Sequence, residues 1–344
     1  MDYNAINAKV SGLFGRLMTY SDYESFSRMQ NLDEIWNALQ SNPAYSHIFE
    51  TGLTQMRRGT IERKLLVSLY ADYNRIYKFL SDVRLKKFLD AYFLKHEVQE
   101  LKLLLCMVYD ERDISQNFDS ADMLFPKRTR TDIDKLRNAH NLAELIDALI
   151  GTEFYTVLSR VYHEGCSLFE LESQLDLYYY RNLIECINKY LSNNDVKMMH
   201  EIVGSETDLR NISWIYRLKT YYHVDNDLIY AHLIPPIFRL TKNHLKELIV
   251  CDTLDEFTSA IRNGPYGHAF SQNENLDPDV ICERELRRLF TSMRRRHMRS
   301  SAPVIAYMHF KEKEINNLTS LLECVSYGLA PREIMKFLYG GEAL

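Results

Sequence analysis

Asn31-Leu32-Asp33-Glu34-Ile35, Asn141-Leu142-Ala143-Glu144-Leu145 and Thr253-Leu254-Asp255-Glu256-Phe257 are three forms of one five-residue box, each followed by a tyrosine, at Tyr45, Tyr155 and Tyr266. The spacing from box leucine to tyrosine is the same in the first two copies and one residue shorter in the third. Asn and Thr at the first position are suited to cap a helix, and an acid two or three residues on sits near the positive end of the helix dipole. Each box taken singly is an ordinary helix start. Three of them at a period of roughly 110 residues are an internal repeat.

A second box has the pattern acid, apolar, any, Glu or Asn, apolar. It reads Glu97-Val98-Gln99-Glu100-Leu101, Asp208-Leu209-Arg210-Asn211-Ile212 and Glu314-Ile315-Asn316-Asn317-Leu318. Its separation from the first box is nearly constant, from Leu32 to Leu101, from Leu142 to Ile212 and from Leu254 to Leu318. In the last two copies Tyr221 and Tyr327 follow at the same distance. The acid and the Glu or Asn are three apart and so share a helix face. That pair is read either as a structural tie to a neighbouring helix end or turn, worth about 1 kcal/mol per bond, or as a contact for a partner protein.

Between the boxes the apolar residues keep helical steps, as in Leu65, Leu66, Leu69, Tyr73, Ile76 and Leu80. The runs Asp82 to Tyr109 and Tyr178 to Met199 hold no Gly or Pro. Breaks are expected at Pro126, Pro235-Pro236, Gly264-Pro265, Pro278 and Pro303. The expected fold is all-α, with three tandem homologous helical-bundle lobes at residues 1–125, 126–235 and 236–344.

Composition agrees with a folded helical protein. With 12 glycines and 8 prolines in 344 residues, the chain has too few for a many-turned β fold, while 46% of it is hydrophobic. The net charge of −5 offers nucleic acid or anionic lipid no general attraction. The longest charge-free runs, Leu228 to Phe238 and Ser300 to Phe310, fall well short of the roughly 20 residues that a membrane span needs. Residues 1–16 lack the pattern of a signal peptide, so a cytoplasmic protein is expected. The six cysteines form no C-x-x-C pair and are read as free core thiols.

Catalytic and nucleotide motifs are missing. Neither G-x-x-x-x-G-K-[ST] nor G-x-G-x-x-G occurs, and His96-Glu97, His163-Glu164 and His200-Glu201 do not extend to H-E-x-x-H. Neither a cofactor nor a metal site is expected, nor a small-molecule substrate. A local exception to the acidic balance is the segment from Glu283 to Arg299, which carries seven arginines against two acids. Its end, Arg294, Arg295, Arg296 and Arg299, is a candidate docking patch for an acidic partner or lipid headgroups. The alternative is a solvated helix face, with nucleic acid a distant third.

These boxes and their neighbours resemble the C subunit of the archaeal and bacterial A/V-type rotary ATPases, the counterpart of the d subunit of the eukaryotic V-ATPase. The opening Tyr3 with Asn7-Ala8-Lys9-Val10 and the stretch Thr19-Tyr20-Ser21-Asp22-Tyr23-Glu24 look like that family's start. The most specific match is Ala306-Tyr307, Lys311-Glu312-Lys313-Glu314-Ile315-Asn316-Asn317-Leu318, Tyr327-Gly328-Leu329 and Ile334. From it Tyr307, Lys311, Glu312, Glu314 and Asn317 are taken as family-signature structural residues. The chain departs from the family's usual residues at Lys9, Ala306 and Thr319. The resemblance implies a non-catalytic component: a funnel of three lobes on the cytoplasmic face of the membrane, a socket joining the central shaft to the proteolipid ring of an ion pump. A free-standing helical scaffold and an α-helical hydrolase are the rival readings.

Overall fold

The computed structural model describes residues 3–49, 57–112, 133–235, 238–272 and 277–339. The expected break at Pro126, the boundary drawn beside it, and Pro236 lie outside these. The helices in chain order are α1 (Asn4–Phe14), α2 (Tyr20–Ser27), α3 (Leu32–Ser41), α4 (Arg58–Phe79), α5 (Val83–Tyr109) and α6 (Ile133–Arg137). There follow α7 (Leu142–Asp147), α8 (Glu153–Leu158), α9 (Leu168–Tyr190), α10 (Asn193–Thr220), α11 (Asn226–Ala231) and α12 (Lys242–Val250). The last are α13 (Leu254–Arg262), α14 (Gly267–Ser271), α15 (Pro278–Arg296), α16 (Ala302–Ser326) and α17 (Pro331–Tyr339). Among the described residues there is no strand, and no helix is long and apolar enough to cross a membrane. The all-α expectation is met.

The chain forms two compact units. One is built from both ends of the sequence, residues 1–81 with 290–344, and the other from residues 82–289. In the first, α16 lies against α1 and α4, and α17 against α2 and α16. Its core is apolar and tight: Leu65, Leu69, Tyr73 and Ile76 of α4 are all buried, as the helical spacing of that segment requires, with Ile305, Tyr307, Leu318 and Leu322 of α16. In the second, α5 runs along α9, α8 also packs on α9, and α12 sits on α10 and α13. Phe88, Leu101 and Leu105 of α5 and Leu171, Leu175 and Leu183 of α9 are buried there.

Candidate functional site

The three copies of the first box do the same thing locally. Asn31 and Asn141 accept the N–H of Glu34 and Glu144 at 2.9 Å, and Thr253 accepts that of Glu256 at 3.2 Å. Each glutamate turns back to the N–H one residue before the cap, on Gln30 at 3.0 Å, His140 at 2.8 Å and Asp252 at 3.0 Å. Two donors at each helix start are thereby satisfied reciprocally. The His140 N–H and the Asn141 side chain hold the Glu144 carboxyl below the usual carboxylate range.

The second box supplies an acid to each of three long helices, and the three acids meet different fates. Glu314 on α16 is buried and receives three donors: the Tyr45 hydroxyl, the Met18 N–H and, at 2.8 Å, the Lys311 ammonium. The side chains of Lys311 and Glu314 are only 1% and 3% exposed, so the pair is an internal ion pair whose separate charges would be costly. Lys311 also lies over the Tyr45 ring, 3.9 Å from its centre. Burial, reinforced by Glu314, pushes the Tyr45 hydroxyl well above its ordinary value. On the same helix the Tyr307 hydroxyl donates to Asp72 at 2.6 Å, and Arg75 holds the other Asp72 oxygen at 3.0 Å.

Asp208 on α10 is equally enclosed. It accepts the N–H groups of Phe238, Arg239 and Leu240 at 3.1, 2.7 and 3.1 Å and the Tyr266 hydroxyl at 3.0 Å. Burial nevertheless pushes its carboxyl up, against the pull of those donors. One turn on, Asn211 exchanges two bonds of 3.0 Å with the backbone of Ile234. The approach is close enough that a Cβ on Gly204 would lie 2.5 Å from Cβ of Phe238. Glu97 on α5 takes no hydrogen bond among the described residues. It is half-buried, and burial first, then Asp90 and Glu153, push its carboxyl up to about 7.

A regularity emerges that the spacing alone had not shown. The box tyrosine reaches the acid of the preceding copy, Tyr266 to Asp208, and Tyr45 of the first copy reaches Glu314 of the last. Glu97 does not follow the pattern: it takes no bond from Tyr155 among the described residues, and its carboxyl feels Asp90 and Glu153 instead. The backbone donors repeat as well: Met18 and Leu240 each precede a capping threonine, Thr19 and Thr241. These two threonines stand at equal distances ahead of the box caps Asn31 and Thr253. That spacing is the signal in the sequence by which these donors could be found. Of the remaining signature residues, Glu312 is half-buried on α16, and Asn317, also half-buried, makes no hydrogen bond among the described residues.

The arginine segment divides. Arg294 is half-buried with its guanidinium 3.6 Å from the centre of the Phe14 ring, where burial and the adjacent Arg295 lower its pKa. Arg295 and Arg296 end α15, where cations suit the helix dipole, and both are exposed, as is Arg299. Met298 between them is 67% exposed. The geometry brings together Tyr307, Lys311 and Glu314, and leaves Arg295, Arg296 and Arg299 facing solvent. None of these arrangements pairs a nucleophile with a base; they are ties between helices and turns.

Comparison with known proteins matches residues 6–337 to the family described as ATP synthase (C/AC39) subunit. An A-type ATP synthase C subunit of Methanosphaera stadtmanae is 25% identical over 92% of this chain and 82% of its own length. Another, of Archaeoglobus fulgidus, is 25% identical over 96% and 94%. A V-type proton ATPase d1 subunit of Arabidopsis thaliana is 23% identical over 93% and 92%.

Proposed function

Because the chain belongs to the ATP synthase (C/AC39) subunit family, a non-catalytic part of the rotary ATPase stalk, we propose that it is the socket by which the central shaft is seated on the membrane proteolipid ring. The observation that carries this reading is the match across residues 6–337 of one helical chain. The physical character of the molecule supports it. A torque coupler needs stiffness, and long helices cross-tied by buried acids supply that without a reactive centre.

The three sequence units are proposed to be three lobes of a funnel, with boundaries near residues 125 and 235. The repeated caps at Asn31, Asn141 and Thr253, and the acid ties at Asp208 and Glu314, support the repeat. The exposed arginines Arg295, Arg296 and Arg299 are proposed to meet the ring or the lipid headgroups beside it, on the cytoplasmic face. Arginine forks two hydrogen bonds onto a carboxylate or phosphate.

Co-sedimentation with ring-containing membranes, and with shaft proteins added separately, tests the reading. Wild-type chain should sediment with the membranes and then recruit the shaft proteins. Sedimentation without recruitment of the shaft, or no sedimentation at all, would sink the socket.

A further inference from the structure

Four residues after Tyr45 stands Phe49, and four after Tyr266 stands Phe270. Each tyrosine is buried with its phenylalanine, and each hydroxyl donates to the acid of a long helix, Tyr45 to Glu314 and Tyr266 to Asp208 at 3.0 Å. In the middle copy the buried pair with that spacing is Phe154 and Leu158, at 5% and 0% exposure. Tyr155 is half-buried, and its hydroxyl makes no hydrogen bond among the described residues. Phe154 also keeps the register of the third copy, following Leu142 by the same interval as Tyr266 follows Leu254. The residue equivalent to the two tying tyrosines is therefore Phe154, and the middle copy has no hydroxyl at that place.

Glu97, the acid of that copy, lies where a charge has little support. Asp90 acts on it from its own helix and Glu153 from the start of α8, both of them acids, while Lys95 lies over the Tyr92 ring, 4.5 Å from its centre. From α9 comes Tyr178, whose ring packs edge-on against Phe154 with 5.8 Å between centres. Its hydroxyl is pushed up to about 12, by burial first and then by Glu153, Cys186 and Glu97. Phe154, Tyr178 and Glu97 thus share one region. Asp176, also on α9, is paired with Lys102 at 2.7 Å. On α7, which lies against α5 as well, Glu144 is bound to its own cap and Asp147 is exposed.

We propose that the middle copy is a proton-responsive joint: with Phe154 in place of the tying tyrosine, Glu97 has no hydroxyl there to hold its charge, and ionising it repels Glu153 and loosens α8 from α9. While Glu97 carries its proton, it presents a neutral carboxyl to Glu153 and Asp90, and α8 stays seated. In the first and third copies a tyrosine hydroxyl and a backbone N–H steady the charged acid, so the same ionisation opens nothing. The element that moves is slight: α8 has six residues and buries only Phe154 and Leu158.

Amide hydrogen exchange on the full chain reads the joint. After correction for the intrinsic pH dependence of exchange, protection of residues 157–159 should fall about ten-fold between pH 6 and pH 8, as follows for a carboxyl held at about 7 when α8 is seated and at its ordinary 4.5 when it is not. The fall should be absent from Glu97→Gln. In Phe154→Tyr it should shrink and move to lower pH, because the new hydroxyl donates to the ionised carboxylate. Tyr155→Phe should behave as wild type. Wild-type protection that does not change with pH, or a fall that persists in Glu97→Gln, would overturn the joint, and these two arms decide it even if Phe154→Tyr does not fold. An undiminished fall in folded Phe154→Tyr, or its loss in Tyr155→Phe, would overturn the assignment to Phe154.

Discussion

Glu314 and Asn317 lie three residues apart on one helix, yet their environments set very different costs for losing them. Glu314→Ala would strand the 1%-exposed Lys311 ammonium, the Tyr45 hydroxyl and the Met18 N–H together. The expected loss is about 3 to 5 kcal/mol, the usual penalty for breaking a buried pair from one side. Asn317→Ala removes no bond among the described residues and should stay within about 0.5 kcal/mol. The counterpart Asn211→Ala leaves both backbone groups of Ile234 unmet and should cost about 1 to 3 kcal/mol. Urea unfolding of the three variants checks the ranking, and equal losses at 314 and 317 would contradict it.

Glu97 makes the same point through pH. Its folded-state pKa, about 7, is raised from an ordinary value of 4.5, so the folded chain binds this proton more tightly than the unfolded chain does. Stability from this group is therefore greatest at low pH and declines as pH rises from about 4.5 through 7. Glu97→Gln should remove that decline and leave the variant about 2 kcal/mol more stable than wild type at pH 8. Melting at pH 5.5 and pH 8 reads the difference. A wild-type gain in stability between those two values, absent from the variant, would reverse the assignment.

At the level of helices, what the sequence disclosed depended on how far away the partner was. The caps of α3, α7 and α13 were legible because each is closed by a residue three positions on. The apolar faces of α4 and α5 were legible because 3.6-residue periodicity is local too. The acids of the second box were visible as a pattern, but their distant donors were not: the three backbone donors of Asp208 lie 30 to 32 residues ahead and Tyr266 58 ahead, and of the three donors of Glu314 only Lys311 is local, Met18 and Tyr45 lying in the opening segment of the chain. In the sequence Arg294 is indistinguishable from the other arginines of the candidate docking patch, since nothing in such a run marks the one that folds back over Phe14. Nor does the spacing reveal that Tyr266 serves the acid of the copy before it and Tyr45 that of the last.

The turn at residues 238–240 depends on that same arrangement. It reaches Asp208 only because position 204 on α10 has no side chain. Gly204→Ala would press on Phe238, displace the turn, and lengthen the three N–H bonds to Asp208. A loss of about 1 to 3 kcal/mol is expected, the range for overpacking a tight contact. Faster amide exchange at residues 238–240 should accompany it; a variant with lower melting but unchanged protection there would place the damage elsewhere.

Across the whole molecule, the tie of Tyr45 and Met18 to Glu314 makes the first segment of the chain dependent on the last. Both ends of the chain belong to one unit, so joining them and opening the chain elsewhere should be tolerated. A circular permutant that starts at Ser81 keeps Asp82 as the cap of α5. With residues 344 and 1 joined by a flexible linker, it should show wild-type helicity and one cooperative melt. A permutant that leaves residues 1–81 sensitive to protease while residues 82–289 are protected would show that the ends are not free to be joined.

The same discontinuity has a consequence in time. Residues 1–81 leave the ribosome before the other unit, and the stretch from 290 that completes their own unit emerges only after residues 82–289 have been made. At a synthesis rate of about 5 to 20 residues per second, the wait is roughly 10 to 40 s. Throughout it the apolar faces of α1, α3 and α4, destined for α16, have nothing of that helix to cover them. The beginning of the nascent chain should therefore offer chaperones uncovered apolar surface for that interval. Its last long helix, α16, is the fastening that covers that surface.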